Sequence, residues 1–278
     1  MNVDELIKKC AAALEEAGIG NFRNEARWLV LETLSLPASA IVFNEKLDRV
    51  QQEAVEALLA RRCRREPLQY LLGSAPFAEL ELTVTPAVLI PRCETEILAE
   101  HLLGTLKTGG TFLDVGCGSG AIALLAAFRR KDISVTALDI SHEALEVAKL
   151  NAEKLHLSDR VQFLQSDLLS ALPPEQKFDA VAANLPYVTF EEYSGLDDEV
   201  RCYEPQLALT AADEGMELIF KLIRDLPGHL HSGSRIALEM SPHQIPRAEA
   251  SLQQRGFRRI GCFADQFGKK RFAAAVWE

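Results

Sequence analysis

Phe112-Leu113-Asp114-Val115-Gly116-Cys117-Gly118-Ser119-Gly120 is the stretch that decides the fold. It runs from apolar residues through three glycines at alternate positions into Ala121–Arg129, whose apolar residues recur at helical spacing. Glycine lacks a Cβ, so the chain can turn sharply there and pass close to a ligand. The helix that follows has first-turn N–H groups without partners inside the helix. In nicotinamide enzymes a strand, glycine loop and helix in this order cradle a pyrophosphate. A nucleotide-type ligand is therefore expected at this loop.

Outward from the loop, short apolar runs alternate with helical segments. Thr111–Asp114, Val135–Asp139, Val161–Gln165, Phe178–Ala183, Arg235–Met240, Arg258–Phe263 and Phe272–Trp277 are the expected strands. Ala121–Arg129 and Ser141–Lys154 are the clearest helices between them, with Ser141 suited to cap the second. This alternation predicts an α/β fold built on a seven-stranded, mostly parallel, doubly wound sheet. The last two strands are joined by a short polar loop containing Gly268, so the final strand is expected to run antiparallel.

Upstream the period is different. Residues 1–72 carry only helical spacing: Leu6, Cys10, Ala13 and Leu14; Ala26, Leu29, Val30 and Thr33; Val55, Leu58, Leu59 and Arg62. A small all-α domain is expected there. Residues 79–85 then alternate polar and apolar side chains up to Pro86, and Val88-Leu89-Ile90 has the look of a returning strand. Residues 73–91 are thus expected to form a β-hairpin linker, with 92–278 as the α/β domain.

Composition narrows the function. With 48% hydrophobic and 25% charged residues the chain can bury a sizeable core. Its formal charge of −10 argues against duplex binding, which rests on Lys and Arg neutralising phosphates. A protein or small-molecule substrate suits it better. The six cysteines form no Cys-x-x-Cys pair and no metal-spaced cluster with histidine. They read as reduced structural thiols. The first residues lack the apolar core of a signal peptide, and no apolar run reaches the ~18 residues of a membrane span. A cytoplasmic chain that keeps away from membranes and acts as a monomer is expected.

Carboxylates and an amide complete the candidate site. Asp139 ends the second strand, where a ribose-binding carboxylate belongs. Asp167, beside Leu168 after the third, is placed to accept from an adenine amino group. After the fourth strand comes Asn184-Leu185-Pro186-Tyr187. An Asn side chain both donates and accepts, so it can pair with a planar amide or an aminopurine edge. An amide or arylamine nitrogen is a weak nucleophile; acceptors for its hydrogens and good alignment are what it needs. Tyr187 would pack on the planar target and tolerate a nearby cation.

The Gly-x-Gly-x-Gly spacing with an acidic residue two before it resembles the class I methyltransferases, whose loop meets the methionine and ribose parts of S-adenosylmethionine. Further segments extend the likeness over nearly the whole chain. Pro67–Gly73, Leu89–Glu96, Tyr203–Leu209 and Asp265–Arg271 follow in order around the loop and the Asn184 motif. Together they resemble the HemK/PrmC family of protein-(glutamine N5) methyltransferases, which modify class I peptide-chain release factors. The resemblance implies that Asp114, Gly116, Cys117, Gly118, Ser119, Gly120, Asp139, Asp167, Leu168 and Asn184 serve the cofactor. It implies that Asn184, Leu185, Pro186 and Tyr187 hold the glutamine amide of a Gly-Gly-Gln loop, with Asn184, Pro186 and Tyr187 as the catalytic set. The N-terminal helices would grip the partner, with Arg61, Arg62, Arg64 and Arg65 as candidate contacts.

Three positions depart from the family pattern. Leu185 stands where the family usually has the first proline of Asn-Pro-Pro-Tyr, Leu168 where an aromatic often lies beside adenine, and Ser241 where glycine is usual. Asn-Leu-Pro-Tyr also occurs in ribosomal-RNA adenine dimethyltransferases. An adenine N6-methyltransferase acting on RNA or DNA is therefore one rival reading, and a silent cofactor-binding scaffold is the other.

Overall fold

The computed structural model describes residues 1–278. The chain divides into two units, residues 1–74 together with 197–203, and residues 75–196 together with 204–278. The first unit is helical: α1 (Val3–Glu16), α2 (Phe22–Thr33), α3 (Ser39–Val42), α4 (Arg49–Arg62) and α5 (Leu68–Leu72), with the helical turn Asp198–Tyr203. Asn2 and Asp48 close capping boxes with Glu5 and Gln51, satisfying first-turn amides of α1 and α4. Leu6, Cys10, Leu14, Leu29, Val30, Val55 and Leu59 form the buried core of this unit, on the spacings read from the sequence.

Arg62 departs from expectation. It is only 2% exposed, too buried to meet a partner protein. Its guanidinium pairs with Glu25 at 2.6 Å and Glu199 at 2.9 Å, and donates to the Glu66 carbonyl at 3.2 Å. A guanidinium fork can satisfy several acceptors at once, which is what makes its burial tolerable. Arg61 is tied to Glu66, and Arg65 donates to the Gly18 carbonyl. Tyr203 donates its hydroxyl to the Arg64 carbonyl at 2.8 Å. Much of the arginine run therefore holds this unit together.

The hairpin forms one step earlier in the chain than the alternation predicts. Strands β1 (Ser74–Phe77) and β2 (Leu80–Thr83) pair across the tight turn at Ala78, while 84–92 carries no strand. Ala78 adopts φ +49°, which lets two residues reverse the chain. Val88 and Ile90 are buried all the same, and it is their burial that imitates a strand pattern.

The second unit continues with α6 (Cys93–Leu103), β3 (Thr111–Val115), α7 (Ala121–Arg129), β4 (Ser134–Asp139), α8 (His142–Lys154), β5 (Val161–Gln165) and β6 (Phe178–Ala183). After the helix Glu217–Asp225 come β7 (Leu230–Glu239), the helix Ile245–Arg255, β8 (Arg258–Ala264) and β9 (Lys270–Val276). The seven strands lie in the order β5-β4-β3-β6-β7-β9-β8. β9 runs antiparallel to both neighbours and the remaining pairings are parallel, as expected. β7 begins well before Arg235 because a bulge absorbs the polar His231-Ser232-Gly233-Ser234, which hides the strand's first half from a hydrophobic pattern.

Both faces of the sheet are covered, so its strands read as continuous apolar runs. Phe112, Val135, Ala180 and Phe272 face one core with α6, α7 and α8. Leu113, Leu138, Val181 and Ile236 face the other, with the helices Glu217–Asp225 and Ile245–Arg255. Strand order reverses between β3 and β6, and a crevice opens beyond the carboxyl ends of strands at such a point.

Candidate active site

A cavity of about 410 Å³ occupies that crevice. Gly116, Cys117, Gly118 and Ser119 of the glycine loop line one side, with Asp139, Ile140, Ser166, Asp167 and Leu168 from the ends of β4 and β5. Asn184, Leu185 and Pro186 line it from the end of β6. Residues brought together from four strand ends thus share one space, as the sequence pattern predicts.

Three expected site residues stay out of the lining: Asp114, Gly120 and Tyr187. Asp114 is fully buried and its Oδ2 accepts from the Ala123 amide at 3.0 Å. Its other oxygen has no partner, and burial pushes the carboxyl up to about 7. It acts on the loop from beneath by fixing the first turn of α7. Gly120 adopts φ +83°, and a Cβ there would come within 3.2 Å of the Ala148 Cβ, so glycine is required for α7 to pack on α8. Tyr187 is half-buried against the second core, and burial raises its hydroxyl to about 12.

The loop's amides are largely spoken for. Gly116 and Cys117 both donate to the Leu138 carbonyl, and Gly118 donates to Asp139 Oδ2 at 2.8 Å. A pyrophosphate cradle needs free N–H groups, and a carboxylate held against the loop repels phosphate besides. The geometry disfavours a dinucleotide here. Asp139 also accepts from the Ser141 amide at 2.9 Å, and burial raises its pKa. A carboxylate has about four acceptor positions, so Asp139 keeps capacity for a ribose hydroxyl. Ile140, Leu168 and Leu218 supply apolar walls suited to a planar base. Leu168 sits at φ +49°, held by a 2.7 Å bond from the Ser166 hydroxyl to its carbonyl. The donor set and the glycine cradle therefore fit an uncharged nucleoside with a short polar chain better than a phosphate.

Support for the loop comes from a residue that sequence reading passes over. Asn151 on α8 is fully buried; its amide nitrogen donates to the carbonyls of Ser119 and Thr83, both at 3.0 Å. Its oxygen accepts from the Thr83 amide at 2.7 Å. An Asn inside an otherwise apolar helical face is the only signal of it in the sequence.

At the end of β6, Asn184 donates from Nδ2 to Thr95 Oγ1 at 3.2 Å, and Thr95 donates in turn to Glu239 at 2.8 Å. Both partners are buried. Glu239 is raised to about 7, chiefly by burial and against the pull of Thr95 and Arg271. The Tyr187 carbonyl accepts from Gln244 Nε2 at 2.8 Å, and the same nitrogen donates to the Glu214 carbonyl at 2.9 Å. Gly215, at φ +78°, passes so close that a Cβ would lie 2.0 Å from the Tyr187 carbonyl oxygen. Glu204 accepts from the Ile90 amide and pairs with Arg92 at 2.6 Å, while Pro205 and Leu207 behind it line the cavity. Thr95, Glu239, Gln244 and Gly215 belong to this site but escape sequence reading, because only the fold brings them to Asn184 and Tyr187.

The chain matches two family models, the PrmC N-terminal domain over residues 5–73 and the methyltransferase small domain over residues 93–195. A release factor glutamine methyltransferase of Rhodopirellula baltica is 37% identical, over 82% of this chain and 80% of the relative. One of Lactococcus lactis is 35% identical over 96% of this chain and 97% of its own length. Among solved structures, the hMettl16 catalytic domain in complex with a MAT2A 3'UTR hairpin aligns at TM-score 0.59 and 17% identity, over 79% of this chain and 81% of that one. The T. thermophilus 16S rRNA methyltransferase RsmC, in complex with AdoMet and guanosine, aligns at TM-score 0.56 and 19% identity, over 74% of this chain and 50% of that one. At such identities the two structures share a fold with this chain.

Proposed function

The chain belongs to the family of release factor glutamine methyltransferases, and from this we propose that it transfers a methyl group from S-adenosyl-L-methionine to the side-chain amide nitrogen of the glutamine in the Gly-Gly-Gln loop of a class I peptide-chain release factor. One observation carries the reading. A single cavity has a glycine loop with Asp139 on one side and Asn184, Leu185 and Pro186 on another. A nucleoside-bearing donor and a planar amide acceptor can therefore meet in one place.

Gly116, Cys117, Gly118, Ser119, Asp139, Asp167, Leu168 and Asn184 would hold the cofactor, with Asp114 and Gly120 shaping the loop from below. S-adenosylmethionine, when bound, supplies a sulfonium-activated methyl whose carbon–sulfur bond breaks with its electron pair going to sulfur. The acceptor nitrogen forms the new bond to carbon and gives up one proton to solvent. Asn184 and the Pro186 region would accept hydrogen bonds from the amide N–H groups. That favours lone-pair density on nitrogen and fixes its direction of attack. Tyr187, outside the cavity lining, would support the acceptor pocket from behind. No helix of the protein is long and apolar enough to cross a membrane.

Transfer of labelled methyl to a class I release factor tests the reading, beside the same factor with its Gly-Gly-Gln glutamine changed to alanine. Label on the native factor alone is expected. Asn184→Ala should lower that transfer by about 10²–10³-fold. Label on ribosomal RNA or duplex DNA instead would replace the reading with a nucleic-acid one.

A further inference from the structure

The bonds around Asn184 have a direction. An ionised carboxylate only accepts, so Glu239 compels the Thr95 hydroxyl to donate to it. A hydroxyl has one hydrogen. With that hydrogen committed, Thr95 Oγ1 can only accept from its other neighbour, which is the Asn184 amide. The Asn184 NH2 group must then face Thr95. Its carbonyl oxygen is left as the end turned to the cavity that Asn184 lines.

We propose that Thr95 and Glu239 are positioning residues for methyl transfer, forming a one-way relay that holds the Asn184 carbonyl toward the substrate amide. The inference rests on the glutamine-amide reading above and adds what orients the acceptor. The placement is built into the fold. β6 and β7 pair in parallel with Ala183 opposite Leu238, so Asn184 and Glu239 leave the sheet side by side. Thr95 enters between them from the first turn of α6, its amide bonded to the Arg92 carbonyl at 3.1 Å. The carboxylate and the hydroxyl are buried. The part-buried amide packs its NH2 end against them, which shields that end from the water that would otherwise let the amide rotate.

Glu239 is influenced by Arg92 and Glu94 from the start of α6, by Arg271 on β9 and by Tyr187. Burial raises the Glu239 carboxyl to about 7, so it changes charge within the working range of pH. Once protonated it can donate to Thr95, which frees the Thr95 hydrogen for the Asn184 oxygen. The relay then runs backwards and presents NH2 to the substrate.

Glu239→Gln keeps the shape and permits the reversed direction. Thr95→Val removes the link, and Thr95→Ser retains it. With the full-length protein and a release factor, Glu239→Gln and Thr95→Val should lose about 10–100-fold in kcat. Substrate KM and the Kd for S-adenosylmethionine should stay within about threefold, and Thr95→Ser should keep near-native kcat. The native enzyme should lose kcat as pH falls through about 7, and Glu239→Gln should lack that limb. A readout without turnover is the Asn184 side-chain NH2 resonance, assigned by its loss in Asn184→Ala. It should move in Glu239→Gln and Thr95→Val and stay put in Thr95→Ser.

Native kcat in Glu239→Gln, or Thr95→Ser falling as far as Thr95→Val, would overturn the relay. An effect confined to KM, or an Asn184 resonance indifferent to residue 239, would do the same. Should Glu239→Gln fail to fold, the two Thr95 variants decide the matter. Failure of the native enzyme to methylate the release factor, with the resonance behaving as described, would instead sink the functional reading and leave the relay standing.

Discussion

The two halves of the candidate active-site cavity, its proposed cofactor side and its proposed acceptor side, are built by different means. On the cofactor side the chain itself does the shaping: glycines at positive φ, a carboxylate on a loop amide, and loop amides pinned to the Leu138 carbonyl of the neighbouring strand. On the acceptor side the work is done by side chains from distant segments. Thr95 and Glu239, which meet near Asn184, are themselves 144 positions apart along the chain. Each half also contains one buried carboxyl raised to about 7, Asp114 under the loop and Glu239 under Asn184. Asp114 grips a backbone amide and Glu239 a hydroxyl, so the first fixes a main-chain turn and the second a side-chain orientation. A backbone-built half should tolerate most side-chain changes and fail at its glycines. A half built on side-chain hydrogen bonds should fail by single atoms.

Gly215 gives the hardest test of that contrast, because there the acceptor half depends on a missing Cβ. Alanine there would put a carbon 2.0 Å from the Tyr187 carbonyl oxygen and 2.4 Å from Gln244 Nε2, at φ +78°. The Tyr187 carbonyl is backbone, so the acceptor loop has to move. A displacement of ~1 Å at such a site costs roughly 10²-fold in rate. Gly215→Ala should therefore lose at least about that much in kcat/KM, with roughly 1–3 kcal/mol of stability. Cofactor affinity, measured by calorimetry, should barely change. If affinity falls in parallel with turnover, the halves are not separable in the way described.

What could be read in the sequence follows the same divide. The glycine loop, the Ser141 cap and α7 are local patterns, each decided within a turn or a strand, and the structure has them where the pattern puts them. The seven strands were legible for the same reason, since alternate residues feed two cores. Pairing was not. Val88 and Ile90 are apolar because they are buried, and burial alone cannot say whether a segment is hydrogen-bonded as a strand. Arg62 falls on the apolar stripe of α4, yet nothing nearby in sequence announces Glu199 as its partner. Thr95 and Glu239 were within reach as chemistry, a hydroxyl and a carboxylate at element ends, but their meeting is a property of the β6–β7 register.

Asn151 is the exception that sharpens the contrast, a side chain holding up the backbone-built half. Its amide bonds the Ser119 carbonyl and both backbone groups of Thr83. Asn151→Leu would leave those buried groups without partners at a cost of roughly 1–3 kcal/mol each in the worst case. The expected result is a cofactor Kd about tenfold weaker, with kcat at saturating cofactor within about threefold of native. Binding calorimetry beside saturating-cofactor kinetics checks it. A loss confined to kcat would mean that α8 acts on the acceptor half, against the division drawn here.

The smallest effect is expected where the halves touch. A Cβ on Gly116 would meet the Leu185 side chain at 2.9 Å, so Leu185 fills the space that the loop's first glycine leaves open. Leu185 is buried and is the chain's departure from the family's Asn-Pro-Pro-Tyr. Its side chain takes no part in the Asn184–Thr95 bond or in the Gln244 bond to the Tyr187 carbonyl. Leu185→Pro should thus leave the orientation of the acceptor unchanged. It removes apolar contact over Gly116, worth about 1 kcal/mol, so cofactor Kd should weaken by a few-fold and kcat by about threefold or less. Competing acceptors in one assay, a release factor and ribosomal RNA, then ask whether residue 185 selects the substrate. Unchanged preference makes leucine a packing solution. A shift of preference in either direction would make it the one residue through which the backbone-built half reaches across to choose what the other half accepts.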